Sequence, residues 1–193
     1  MLTTLRSYLS GYIELTDEEF AGLADKIEVR SFEKKHQVIG AGEVDGYLNF
    51  IVKGLARKYF LKGREEIITQ IAKETDLISS SVSFLTGAPS TYYVETIEPC
   101  TFISVSKSNI EELYKKSHKM EHLGRLIITN LFLQQEEWEY DRMRLTTRER
   151  FIQFLQNNPD LLQRVPQKHL ASYLNIKPET FSRLKHLLRK KKT

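Results

Sequence analysis

The chain has 193 residues, 40% of them apolar, and 29 Lys and Arg against 25 Asp and Glu, for a formal net charge of +4. That length allows one large or two small domains with a real core. No run approaches the ~18 consecutive apolar residues of a membrane span, no basic-then-apolar leader opens the sequence, and the lone Cys100 excludes an internal disulfide or a thiolate-held iron–sulfur cluster, so a cytoplasmic protein with no membrane partner is expected.

In chain order, Thr16-Asp17-Glu18-Glu19 reads as a capping box opening a helix whose Phe20, Leu23, Ala24 and Ile27 share a face. From about Glu28 to Val105 the pattern changes to short alternating runs at 47–53, 55–61, 65–71 and 90–97, divided by Gly40, Gly42, Gly46, Gly54, Gly63 and Gly87. Many short strands at regular spacing predict a β-barrel or roll, with Cys100 a small buried hydrophobe in the strand-like 100–105 segment. A second capping box, Ser108-Asn109-Ile110-Glu111, returns the chain to helix. Residues 120–145 then predict one long helix, free of Pro, with its only glycine, Gly124, near the start. Along it Leu123, Ile127, Leu131, Gln134, Trp138, Asp141 and Leu145 trace a stripe that is apolar at first and mixed later. The stripe fits packing along the roll and a dimer seam equally well.

The C-terminal residues predict a helix-turn-helix. Two short helical patterns flank a break at Asn175, a residue that tolerates the left-handed backbone of a tight turn, while small Ala171 permits close helix approach and Pro178 suits a first helical turn. In the second helix Phe181, Leu184 and Leu188 fall on one side, and Glu179, Ser182, Arg183, His186 and Lys190 on the other. Charge is divided in the same way. Residues 1–145 carry 18 basic and 22 acidic side chains, net −4, and residues 146–193 carry 11 and 3, net +8. An acidic body joined to a basic end suits a protein of which one part approaches phosphates. A solvated, lysine-capped helix accounts for Arg189 to Lys192, but not for the polar face upstream.

Across nearly its whole length the chain resembles the Crp/Fnr family of cyclic-AMP-receptor and fumarate/nitrate regulators. Gly42-Glu43 followed by Tyr47-Leu48-Asn49-Phe50-Ile51-Val52-Lys53-Gly54 is similar to the family's β-roll signature, and Tyr173-Leu174-Asn175-Ile176 with Glu179-Thr180-Phe181-Ser182-Arg183 is similar to its DNA-reading helix. The resemblance implies an α+β fold: a cyclic-nucleotide-binding-like β-roll over 1–119, a long connecting and dimerisation helix over 120–145, and a helix-turn-helix domain over 146–193. It implies a homodimeric transcription regulator with DNA as partner, in which Glu179, Ser182 and Arg183 contact base edges. Arg forks onto guanine and Glu accepts from cytosine. Lys177, Lys190, Lys191 and Lys192 are the candidate backbone contacts.

Two departures qualify the resemblance. The family's nucleotide pocket uses a Gly-Glu pair and, some ten residues later, an Arg followed by Ser or Thr; here Ser79 and Ser80 replace the first pair and Ser90 the Arg. A cyclic phosphate loses its charge-assisted fork and the ribose its carboxylate. Ser79, Ser80, Ser81, Ser90 and Thr91 then form either a pocket for another, unidentified small-molecule effector or a plain polar loop. The family's β-hairpin wing has no counterpart before Thr193. Pro178 stands where some relatives place a base-contacting Arg, so a different operator is expected. His118 and His122, four apart on a helix, lack a nearby third ligand, and no catalytic motif, metal site or cofactor is expected. The alternative reading is a ligand-binding signalling or scaffold module whose helix-turn-helix no longer binds DNA.

Overall fold

The computed structural model describes Met1 to Lys190, with side chains through His186. Two helices, α1 (Leu2–Ser10) and α2 (Asp17–Ala24), lead into eight strands: β1 (Ile27–Phe32), β2 (Gln37–Ile39), β3 (Tyr47–Lys53), β4 (Ala56–Lys62), β5 (Glu65–Ala72), β6 (Leu77–Ile78), β7 (Tyr93–Thr96) and β8 (Cys100–Ser106). The short α3 (Ser81–Thr86) lies between β6 and β7. The strands pair antiparallel as two four-stranded sheets, ordered β1-β8-β3-β6 and β2-β7-β4-β5. The runs predicted at 47–53 and 65–71 are thus strands to within a residue. The run at 90–97 is strand only from Tyr93, because Ser90 is tied to the loop between β2 and β3 through its N–H to the Glu43 carbonyl at 2.7 Å.

Strand alternation sorts side chains into separate cores. On β3, Ile51 points between the sheets with Ile39, Val94, Cys100 and Phe102, whereas its neighbour Phe50 points outward to Leu5, Leu9 and Leu123. Leu5 and Leu9, four residues apart on α1, are the signal for a first helix that the capping-box reading at Thr16 did not include. The Thr16 box itself forms reciprocally with Glu19. The expected box at Ser108 does not. β8 runs directly into α4 (Lys107–Lys116), so Ser106 becomes the cap, accepting from the Asn109 N–H at 3.2 Å, while the Ser108 hydroxyl pairs with that of Ser106.

The long helix α5 spans His118–Arg144, beginning two residues earlier than predicted because Ser117 caps it. Its stripe is turned toward its own chain: Leu123 is buried in the α1 cluster, Ile127 packs against that cluster, Trp138 meets Tyr173, and Asp141 accepts from Gln153 at 2.9 Å. Within the chain the stripe thus packs on the roll at its start and on the helical unit at its end. The solvent-facing apolar residues are Ile128, Phe132, Leu133, Tyr140 and Met143. Beyond α5 come α6 (Thr147–Asn157), α7 (Leu161–Arg164), α8 (Gln167–Tyr173) and α9 (Pro178–Lys190), whose core of Phe151, Phe154, Leu170 and Phe181 also takes in Leu55 and Ile97 from the roll.

Gly54 sets the chain path from β3 into that shared core. Its φ is +100°, and a Cβ there would lie 2.5 Å from the Pro99 carbonyl oxygen and 2.7 Å from Cys100 Sγ. Gly54→Ala is expected to cost about 2–4 kcal/mol from backbone strain plus overlap. Gly63→Ala, at φ +65° in open space, should cost only about 1 kcal/mol. Urea unfolding of both variants checks the ranking, and equal midpoints would refute it.

Candidate functional site

The helix pair at the C-terminal end is built around a left-handed residue. Asn175 has φ +53°, and the turn is closed by the Asn175 N–H to the Ser172 carbonyl at 2.9 Å and the Ile176 N–H to the Ala171 carbonyl at 3.0 Å. Ala171 is fully buried, which lets α9 pack against α8. On α9 the apolar side is anchored by Phe181, completely buried and edge-on to Phe151 with ring centroids 5.0 Å apart. Glu179, Ser182, Arg183 and His186 lie exposed on the opposite side, and Lys177 is exposed just before the helix. Glu179, Ser182 and Arg183 are thus brought together on one open face. Lys191 and Lys192 lie outside the described residues, as does the side chain of Lys190.

The candidate effector residues divide. Ser79, Ser80 and Ser90 are buried; Ser81 and Thr91 are exposed. The Ser80 and Ser90 hydroxyls hydrogen-bond each other at 2.7 Å, and the Ser80 N–H donates to the carboxylate of buried Asp45 at 2.6 Å. Asp45 also accepts the Tyr47 N–H, and its own N–H donates to Ser83 Oγ. Lys58 donates to the Ser79 carbonyl at 3.3 Å. Burial raises the Asp45 carboxyl above the usual carboxylate range and lowers the Lys58 ammonium. An internal carboxylate therefore already uses a backbone donor of this segment.

A polar joint between roll and helical unit was not visible in the sequence. Arg57 on β4, nearly inaccessible, lies 2.5 Å from Glu66 and 3.0 Å from Glu95 and reaches His169 of α8 at 3.4 Å. Hydrogen bonds from Arg57 hold Glu66 below the normal carboxylate range. Around this joint, Ser172 Oγ accepts the Ile68 N–H and donates to the Glu66 carbonyl, Arg164 pairs with Glu74 at 2.7 Å and with Glu98, and Lys73 pairs with Asp160 at 3.1 Å. A charged residue at position 57 of an otherwise half-buried strand was the one available signal; its partners lie 9, 38 and 112 residues away.

His122 Nδ1 lies 2.6 Å from Arg125, His118 is fully exposed, and among the described residues no group of three side chains is arranged to hold a metal ion. No described helix is long and apolar enough to cross a membrane.

Residues 29–117, which hold most of the roll, match the family model described as the cyclic nucleotide-binding domain. As a whole the chain is similar in fold to several solved structures. It superposes on FixK2 from Bradyrhizobium japonicum with a TM-score of 0.69 at 19% identity, covering 86% of this chain and 85% of that one. Against CLP, a c-di-GMP responsive global regulator of Xanthomonas campestris, the values are 0.69, 13%, 91% and 93%. For the Thermus thermophilus catabolite activator protein they are 0.59, 16%, 95% and 87%. At these identities the likeness establishes the fold. A search of curated sequences returns no match.

The joint carries a pH dependence. Arg57 donating to Nε2 of His169 leaves the ring proton on Nδ1, which is buried without a partner. Burial first, then the Arg57 and Lys168 charges, depress this imidazole from 6.5 to about 4, against an opposing pull from Glu66. A folded-state value below the unfolded one means the contribution is fully present above about pH 6.5 and is lost as pH falls toward 4. Urea midpoints measured from pH 7 down to 4.5 should decline, and His169→Gln should flatten that decline. Identical pH profiles for the two proteins would contradict the assignment.

Proposed function

We propose that this protein is a sequence-specific, DNA-binding transcription regulator of Crp/Fnr type that acts as a homodimer under control of an effector sensed by the roll. The observation that carries the reading is α9: one face is buried to the last atom at Phe181, and the other leaves Glu179, Ser182 and Arg183 open to solvent. Those side-chain types read base edges, with Arg183 suited to guanine and Glu179 to cytosine. The helix belongs to a helix-turn-helix whose segment carries net +8 against −4 for the rest of the chain. Lys177, Lys190, Lys191 and Lys192 supply phosphate contact.

Ser79, Ser80, Ser81, Ser90 and Thr91 mark the effector region. Asp45 on the Ser80 N–H, with no Arg at position 90, argues against a cyclic nucleotide there and for a ligand that carries less charge. Twofold operators require two reading helices about 34 Å apart, hence two copies. The exposed apolar face of α5 at Ile128, Phe132, Tyr140 and Met143 is the natural seam between them.

Binding-site selection tests the DNA reading. Arg183→Ala should relax preference at one position of each half-site and lose about 1–3 kcal/mol. Lys177→Ala should weaken all sites alike and make the salt dependence shallower, since phosphates carry no sequence information. Arg183→Ala with unchanged affinity and preference would remove α9 as the reader.

Sedimentation tests the seam. Phe132→Glu combined with Ile128→Glu should yield monomers, because an unpaired charge in an apolar interface is strongly unfavourable. A wild type that is monomeric at high micromolar concentration would rule the dimer out.

A further inference from the structure

A cleft of about 560 Å³ separates the C-terminal half of α5 from α6 and α8, within the size range of small-molecule sites. It lies far along the chain from the roll's hydroxyl cluster and has a different chemistry. One wall is aromatic: Trp138 and Tyr173 are tilted at 34° with centroids 5.8 Å apart, and Phe154 stands 5.9 Å from Tyr173. The other contribution is cationic. The Arg142 guanidinium lies 4.8 Å over the Trp138 ring, and Arg150 also lines the cleft.

Arg150 is incompletely satisfied. Its Nη1 donates to the Arg142 and Leu145 carbonyls at 3.1 and 3.0 Å, at the end of α5, but its Nε–H is buried with no acceptor. Both acceptors of Nη1 are neutral and Arg150 makes no ion pair among the described residues, so an anionic oxygen in the cleft complements its charge best. The acidic lining does not serve. Asp141 is already engaged by Arg144 at 2.7 Å and by Gln153 at 2.9 Å, and Glu137 is exposed. A flat ring against Trp138 and Tyr173 would gain stacking area together with the field of Arg142.

We infer that this cleft is a binding site for a small planar aromatic anion, its ring laid on Trp138 and Tyr173 and its anionic oxygens taken by Arg150. Such a ligand touches both α5 and the helical unit, so its binding energy acts on the angle between them. The inference stands independently of DNA binding and of any effector in the roll.

Trp138 is the only tryptophan in the sequence, so its fluorescence reports on this cleft directly. The full-length protein is titrated with guanosine 5′-monophosphate and benzoate as ring-bearing anions, with guanosine and benzamide as their uncharged counterparts, and with inorganic phosphate as an anion without a ring. Saturable quenching is expected with at least one ring-bearing anion, about tenfold or more weaker with its uncharged counterpart, and absent with phosphate. Arg150→Gln should weaken binding by a similar factor. Because Arg150 also braces the end of α5, Gln134→Glu provides a second test: it places a negative charge on the exposed cleft rim without removing any hydrogen bond observed for Gln134, and should also weaken binding. No saturable signal with either ring-bearing anion, equal affinity for the uncharged ring, or affinity unchanged in both variants would overturn the site.

Discussion

The ion cluster around Arg57 is the constraint on which the relation between roll and helices depends. A guanidinium taken almost wholly out of water is tolerable only if its donors are met, and Glu66 and Glu95 meet them from neighbouring strands while His169 arrives from the helical unit. Removing one member of such a buried set typically costs about 3–5 kcal/mol, because the remaining charge stays buried. The apolar contacts of Leu55 and Ile97 with Phe151 and Leu161 supply area but little direction. The polar set supplies direction: it accepts one placement of α8 over β4 and β5 and penalises others.

From that docking follows the division of labour along α5. Its first half is committed to the roll through Leu123 and Ile127, and its second half meets the helical unit through Trp138 and Asp141. A helix bound at both ends to different bodies transmits a rotation between them, provided neither contact yields first. Coupling of this kind requires two arrangements of comparable energy. The Lys73–Asp160 and Arg164–Glu74 pairs, each about a third exposed, are contacts of the joint that solvent reaches.

Much of this architecture was legible in the sequence because it depends on short-range rules. Strand alternation at 47–53, the Thr16 box and the Asn175 turn each involve residues within one or two turns of chain, where spacing fixes geometry. The polar face of α9 was readable for the same reason. Two readings needed information from elsewhere in the chain. The α5 stripe fitted the roll and a second copy equally well, and only the folded chain reveals that α1, Tyr173 and Gln153 pack on it. Ser108 lost its capping role to Ser106 because β8 ends where it does, a matter of sheet register that local propensity does not encode. Asp45 and Arg57 were unreadable as site residues, since a buried charge is explained only by partners that folding brings to it.

The Ser172 hydroxyl has a consequence for what happens when the helices leave. β5 is an outer strand of its sheet, and Ser172 caps two of its main-chain groups, the Ile68 N–H and the Glu66 carbonyl. α8 thereby acts as a cover over an open strand margin, a feature that in other proteins recruits further strands. A truncated roll lacking the helical unit would therefore present that margin bare, beside the newly uncovered Leu55 and Ile97. Such a fragment would be prone to edge-to-edge self-association, so the helical unit also protects the solubility of the roll that carries it.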